Sequence, residues 1–512
     1  MFEGDGTSKF SQLPPEMLDF TILKSTSALA PRLGRLSLPG RTPLLTPGFL
    51  GSTSRGVIPH ISQDNFRKYT KLGGVYVALE DFIEKHPQKT PPIFSPDGPE
   101  SLRRFIALPE NTLLVFGARR QPPIPTPVAN TNTEAAILTS VGFKSISSEY
   151  YAAAARKLQP DIVVGLADIP FGQETVGTKR KDKMSDRTEN WTRDIIAKRN
   201  DIEKGGEEKR WNIFAPLLPI DRDLQSWYLE HLVDEMADKI QGMAIYDAYL
   251  LDDLPEELHH LPRLSFHVPA SPHELLRQIS LGMDLFTVPF ISDATDAGIA
   301  LDFTFPAPTK PKDMQRSSRH SLGIDMWQSA YSSSVTPLTE GCECYACTKH
   351  HRAYVQHLFS AKEMLGWVLI QLHNHAILSS FFSGVRSSIE SGTFEEDMAA
   401  FEAFYDPNLP EKTGQGPRVR GYQFKAEDHG KAEKKNAKAF RKFDGEGTEE
   451  KVKVYAAHGQ QPSKKKAVED RIDDEALIGL VDLANVEGVE GLSIEDDSQG
   501  YREPQAAIEH RS

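Results

Sequence analysis

The chemistry-bearing residues of this chain are gathered in one short stretch. Its three cysteines all lie within Gly341-Cys-Glu-Cys-Tyr-Ala-Cys347, at Cys342, Cys344 and Cys347. A C-x-C-x2-C cluster brings three soft thiolates together, and thiolates favour a tetrahedral metal such as zinc. Three clustered cysteines cannot build an internally paired disulfide framework, which points to a reducing compartment. A closed site needs a fourth ligand, and the candidates are His350, His351, His357, His373 and His375, the first two so close to Cys347 that the chain has little room to fold back. The residues alone leave that choice open, because a lone histidine on a helix is more often structural than ligating.

The elements that must hold this cluster come next. Short apolar runs at 112–116, 162–166, 211–215, 242–245, 264–268 and 285–288 read as strands. Helical patterns at 148–158, 221–239 and 272–281 alternate with them. Strands alternating with helices argue for parallel βαβ units, and this many units favour a (β/α)8 barrel. A doubly wound sheet is the alternative, but no G-x-G-x-x-G follows the first strand. Residues 18–22 suit a first strand, 31–40 a basic turn, and 41–50 an extended lead-in bounded by prolines. Residues 173–210 are highly charged and read as a solvated outer helix at 184–198 with a polar loop. Residues 353–383 carry apolar side chains at spacings of three and four, which predicts one long amphipathic helix.

The net charge is -13 over 512 residues, and 39% of them are hydrophobic. An acidic total weighs against autonomous nucleic-acid binding, where affinity rests on neutralising phosphates. No apolar run is long enough to span a membrane, and no secretory leader is visible at the N-terminus. Past about residue 421 the composition turns rich in lysine, alanine and glutamate, with Lys464-Lys-Lys466, and then acidic. The predicted organisation is an N-terminal segment 1–40, a barrel over 41–424 with a metal-binding subdomain at about 320–405, and a charged, disordered tail over 425–512.

One resemblance sharpens this. Cys342-x-Cys344-x2-Cys347, Arg352-Ala-Tyr354, His357-Leu358 and His373-Asn374 resemble the zinc motif of the tRNA-guanine transglycosylases, the queuine tRNA-ribosyltransferases. Ala30-Pro-Arg-Leu-Gly-Arg35, Thr46-Pro-Gly-Phe49, Pro160-Asp-Ile-Val-Val-Gly-Leu-Ala-Asp168 and Leu281-Gly-Met-Asp-Leu-Phe286 extend it over roughly 18–405. The resemblance implies a TIM barrel with an inserted zinc-binding subdomain. It implies His373 as the fourth ligand of one structural zinc ion.

It also implies what is missing. Catalytic relatives exchange a base at the tRNA wobble position through an aspartate nucleophile, which follows the Gly-x-Asp-x-Phe pattern. Here that position is Thr287, a poor nucleophile and a poor leaving group. The second catalytic aspartate has no counterpart in Leu113-Leu-Val-Phe-Gly-Ala-Arg-Arg120. The base-stacking glycines are replaced within Ala244-Ile-Tyr-Asp247 and Phe214-Ala-Pro-Leu217, and Tyr246 would obstruct a base. Only Asp168, similar to the aspartate that reads the base, is retained as a substrate-binding candidate. The chain therefore resembles the non-catalytic subunit that eukaryotic queuine transferases pair with a catalytic homologue. That implies a heterodimer, contact with tRNA through the complex, and a cytoplasmic address, with peripheral association at the mitochondrial outer membrane as a second one. The competing expectations are an active transglycosylase using Asp284, Asp293 or Asp296, and an unrelated zinc-stabilised RNA-binding protein using Arg119-Arg120 and the lysine tail.

Overall fold

Every second residue of a barrel strand points inwards, so a closed parallel barrel needs strands that are apolar on both faces. The computed structural model of the chain describes residues 17–96, 100–126, 129–172, 176–203, 211–308 and 319–417, and in it eight strands meet that demand. They are β1 (Gly48–Ser52), β2 (Gly74–Ala78), β3 (Leu113–Gly117), β4 (Ile162–Val164), β5 (Asn212–Leu217), β6 (Gly242–Ile245), β7 (Arg263–Ser265) and β8 (Leu285–Thr287). All neighbours are parallel, and the barrel closes where Leu285, Phe286 and Thr287 pair with Gly48, Phe49 and Leu50. The expected (β/α)8 architecture is the one found. Leu50, Tyr76, Val115, Val164, Phe214, Ala244, Leu264 and Leu285 fill the interior. Phe49, Val75, Phe116, Val163, Ile213, Met243 and Phe286 face the surrounding helices.

Two strands escaped the sequence reading. β1 lies at the end of the stretch read only as an extended lead-in, and β2 was not anticipated. Its approach through Gly73-Gly74 looks like a turn in sequence. In the structure Leu44 and Leu50 occupy the space where Cβ atoms at 73 and 74 would stand, 2.3 and 2.7 Å away. These glycines permit close packing and do not break the strand.

Residues 31–40 are a correction. They were read as a turn, yet Arg32–Ser37 is the middle strand of a three-stranded antiparallel sheet with Asp19–Ser25 and Leu44–Thr46. Its buried positions are Arg32, Gly34 and Leu36. The alternation is real, but two of its three inward residues are not apolar, so a hydrophobicity pattern does not reveal it. Arg32 grips Asp284 at the N-terminal end of β8, Nε to Oδ1 at 2.9 Å and Nη2 to Oδ2 at 2.5 Å.

Helix Ser148–Leu158 begins where expected, with the Ser147 hydroxyl accepting the Tyr150 amide at 3.0 Å. The helix expected at 221–239 is shorter, Ser226–Asp234, with single tight turns on either side. Gln225 explains the late start: it is fully buried and spends its amide on the backbone of Leu218 and Ile220. The charged helix is longer and less solvated than expected. It spans Thr178–Glu203 and buries Met184, Thr188, Trp191 and Ile195 along one face.

The helix read as continuous over 353–383 is two helices, Arg352–Ser360 and Met364–Ser391. Lys362 takes a left-handed conformation, φ +57°. Its amide donates to Phe359 O and that of Glu363 to Leu358 O, both at the end of the first helix. This is the usual hydrogen-bonded left-handed helix stop, made here without glycine, so no sequence signal marks it. Helix Phe394–Phe404 and the short antiparallel pair Ile299–Leu301 and Gly323–Asp325 complete the region after the barrel. No described helix is long and apolar enough to cross a membrane. The tail expected at 425–512, with its lysine run, lies outside the described residues.

Candidate metal centre and barrel mouth

Cys342, Cys344, Cys347 and His373 converge, their four donor atoms all within 4.8 Å of one another. His373 Nδ1 is 3.8 Å from Cys342 Sγ, 3.6 Å from Cys344 Sγ and 3.4 Å from Cys347 Sγ. With zinc bond lengths of about 2.3 Å to sulfur and 2.0 Å to nitrogen, a tetrahedron separates S and N by roughly 3.5 Å. The donor set and its spacing fit a zinc ion with no ligand position left over. The Cys344 Sγ also accepts the Cys347 amide at 3.4 Å, capping the turn Tyr345–Lys349.

Among the histidines, what holds His373 sets it apart. His373 is fully buried on the long helix, and its Nε2 lies 2.8 Å from the Leu301 carbonyl oxygen. Donation from Nε2–H leaves Nδ1 as the lone-pair nitrogen, aimed at the sulfurs. The adjacent Asn374 takes the Leu301 amide on Oδ1 at 2.8 Å and donates Nδ2 to Thr295 Oγ1 and Ile299 O. The His-Asn pair thus reads both backbone groups of Leu301. The other histidines are otherwise employed. His350 stacks on Tyr354, and His351 caps helix Arg352–Ser360. His357 is exposed. His375 faces Phe49, where burial pushes its pKa down to about 4.

Without a metal ion the four groups share protons. Hydrogen bonds from Cys342 and then Cys344 hold the Cys347 thiol far below its usual range. The hydrogen bonds that Cys344 makes with Cys342 and Cys347 raise its own. Burial draws His373 down, but its bonds to Cys342 and Cys347 outweigh that and lift it to about 9. The Cys344 thiol is held protonated, so binding a cation there must displace its proton.

At the C-terminal end of the barrel, where TIM-barrel active sites are built, large side chains fill the mouth. Tyr246 stacks on Phe266 with ring centroids 5.1 Å apart, and Tyr76 meets Phe266 edge-on at 5.7 Å. The Tyr76 hydroxyl donates to Arg119 O at 2.6 Å. Gly117 makes this possible, since a Cβ there would sit 1.9 Å from that hydroxyl. Arg119 crosses the same space, donating to Ala136 O, Ala167 O and Asn130 Oδ1, with its guanidinium over Phe171. Burial pushes the Tyr246 phenol up to about 12 and lowers Arg119. The cavity left between Tyr76, Arg119, Gln121, Phe171 and Tyr246 measures about 20 Å³.

A family model described as queuine tRNA-ribosyltransferase matches residues 27–407. The chain belongs to the queuine tRNA-ribosyltransferase family. Relatives named queuine tRNA-ribosyltransferase accessory subunit 2 include the following. The protein of Schizosaccharomyces pombe is 36% identical over 385 residues, 74% of this chain and 83% of that one. That of Drosophila mojavensis is 28% identical over 393 residues, covering 72% and 88%. That of Gallus gallus is 25% identical over 416 residues, covering 73% and 95%.

Within this queuine tRNA-ribosyltransferase fold, Thr287 ends β8 with its hydroxyl buried and without a hydrogen-bond partner among the described residues. Asp168 is fully buried and its oxygens are taken. Arg180 donates to Oδ2 and Oδ1 at 2.6 Å each, Arg187 to Oδ2 at 3.1 Å, and Asn130 to Oδ1 at 2.6 Å. The arginines were hidden in the charge-rich helix, where only their seven-residue spacing marks a shared face. Asp284 lies at the opposite end of the barrel, sealed by Arg32. Asp296 bonds His60 Nε2 at 2.7 Å, and Asp293 is exposed on helix Phe290–Ala297. Arg119 and Arg120 are partly buried and turned inwards, the latter onto Glu80 at 2.7 Å, and both are engaged within the barrel mouth.

Proposed function

We propose that this chain is the non-catalytic accessory subunit of a heterodimeric queuine tRNA-ribosyltransferase. In this reading it supports a catalytic homologue that exchanges guanine for queuine at wobble position 34 of tRNAs with GUN anticodons. The observation that carries the proposal is the filled barrel mouth. A cavity of about 20 Å³ has room for a single water, whereas small-molecule pockets run to about 300 Å³ or more. The side chain at the nucleophile position, Thr287, adds to it, since a buried hydroxyl with no base beside it cannot attack a ribose carbon and then leave.

In the same reading Cys342, Cys344, Cys347 and His373 hold one structural zinc ion. When bound, that ion supplies a closed cross-link between the cysteine turn and the long helix, with no open position for water. The subdomain at about 320–405 then presents its helices to the catalytic partner, and tRNA is met through the complex, in the cytoplasm. Asp168 holds the charged helix against the barrel and takes no part in reading a base.

The test gives purified chain tRNA and labelled guanine or queuine, alone and with a catalytic homologue. Exchange should need the homologue, with this chain raising its rate. Base exchange by this chain alone would overturn the proposal.

A further inference from the structure

Past residue 407, where the family match ends, the chain folds back over the metal subdomain. Asp406 N–H donates to His320 O at 2.8 Å, which sets its direction as it leaves helix Phe394–Phe404. Leu409 packs on the main core. The chain then crosses Trp327. Gly414 lies so close to the indole that a Cβ would fall 2.1 Å from Cδ2, so only glycine can pass. On either side, Thr413 Oγ1 donates to Asp325 Oδ2 at 2.5 Å and Lys362 Nζ donates to Gln415 Oε1 at 3.1 Å. The other oxygen of Asp325 accepts the Trp327 amide at 3.0 Å.

Trp327 is where three parts of the fold meet. Its Nε1 edge abuts Gly298, at the end of the helix after β8, where a Cβ would stand 2.5 Å away. Its rings lie 5.3 Å from Phe359 and 6.4 Å from Trp367, on the two helices that bracket the left-handed Lys362. One of those helices carries His373. The crossing segment is itself lightly held: Glu411, Lys412, Thr413 and Gln415 are exposed. Segments with few buried contacts open at low cost.

We propose that residues 413–416 form an intrachain strap that holds Trp327 against Phe359 and Trp367, and thereby slows the loss of metal from the Cys3His site. The strap acts on the frame that carries His373 and not on the ligands themselves. The metal half of this proposal rests on the zinc reading above.

The test uses the full chain and two variants, Gly414→Val, which cannot seat on the indole, and Thr413→Ala with Gln415→Ala. Zinc release to a chromogenic chelator and amide hydrogen exchange across 352–363 are followed on each. Gly414→Val should release zinc about tenfold faster and exchange faster across that corner, and the double variant should move both readouts less, in the same direction. Release and exchange both equal to the unmodified chain in both variants would overturn the strap. Should the purified chain carry no zinc, the metal reading fails by itself. The exchange measurement then still decides the strap, with unchanged exchange counting against it.

Discussion

The carbonyl oxygen of Leu301 lies 2.8 Å from His373 Nε2, and this one bond fixes which histidine can face the cysteines. It sets the tautomer and ring angle from behind. His373→Ala should therefore abolish metal binding, as should Cys344→Ala, whereas His375→Gln, two residues on and facing Phe49, should retain one zinc per chain. Metal content by atomic emission checks this, and a zinc-replete His373→Ala protein would contradict it.

Asn374 contributes no ligand atom, yet it ties Thr295, Ile299 and Leu301 to the helix through buried hydrogen bonds. Asn374→Ala removes the side-chain partner of the Leu301 amide and the Ile299 carbonyl, at a cost of about 2 kcal/mol, and should weaken zinc binding by about 10- to 100-fold. Competition with a chelator of known affinity measures the second effect. Wild-type affinity would show that Leu301 positions His373 unaided.

Asp168 is fully buried and compensates two arginines whose side chains are only partly exposed. Asp168→Asn should destabilise the fold by about 3 kcal/mol, seen in urea denaturation, and should leave any activity of the partnered complex unchanged once folded. A loss of queuine incorporation without loss of stability would return Asp168 to the base-reading role.

On the proposed reading, Thr287→Asp supplies a carboxylate at the nucleophile position but places it under the aromatic fill of the mouth. The buried, unpaired carboxylate should cost several kcal/mol, roughly 3 or more. No covalent tRNA adduct should form on a denaturing gel. An adduct with this single substitution would mean that the mouth opens in solution.

His267 and Asp247 form a half-buried pair on the rim after β6 and β7, at 3.2 Å, with Glu274 at 3.9 Å. The Asp247 hydrogen bond raises His267, and the same bond lowers Asp247. A raised histidine adds stability that is fully present below its ordinary value near 6.5 and disappears as pH rises through its folded value. A lowered aspartate adds stability that is lost only when pH falls well into the acid range. His267→Gln should therefore lose more stability relative to wild type at pH 6 than at pH 8.5, by thermal unfolding at both. An equal loss would show that the pair is not ionic.

Much of this was written in the local sequence. Strand-helix alternation predicted the barrel because both faces of its strands are apolar, and the cysteine spacing marked three of the four donors. What stayed hidden depends on distance in space. Arg32 and Asp284 are far apart in the chain, so neither Arg32–Ser37 nor the fate of Asp284 could be read locally. Lys362 stops a helix with no glycine to announce it. The fill of the mouth was half visible, since Tyr246 could be named as an obstruction, but Tyr76 lies on β2 and Arg119 and Phe266 follow β3 and β7, and only closure of the barrel brings them together.

Gly117 and Tyr76 carry a consequence for how such a subunit can change. While the tyrosine stands, no side chain fits at 117, because its hydroxyl is pinned to the Arg119 carbonyl and cannot swing aside. Removing the tyrosine first leaves a hole and an orphaned carbonyl in its place. Any single-step route to an open mouth therefore descends into less stable chains before it gains anything. The mouth behaves as a ratchet, held shut by packing alone.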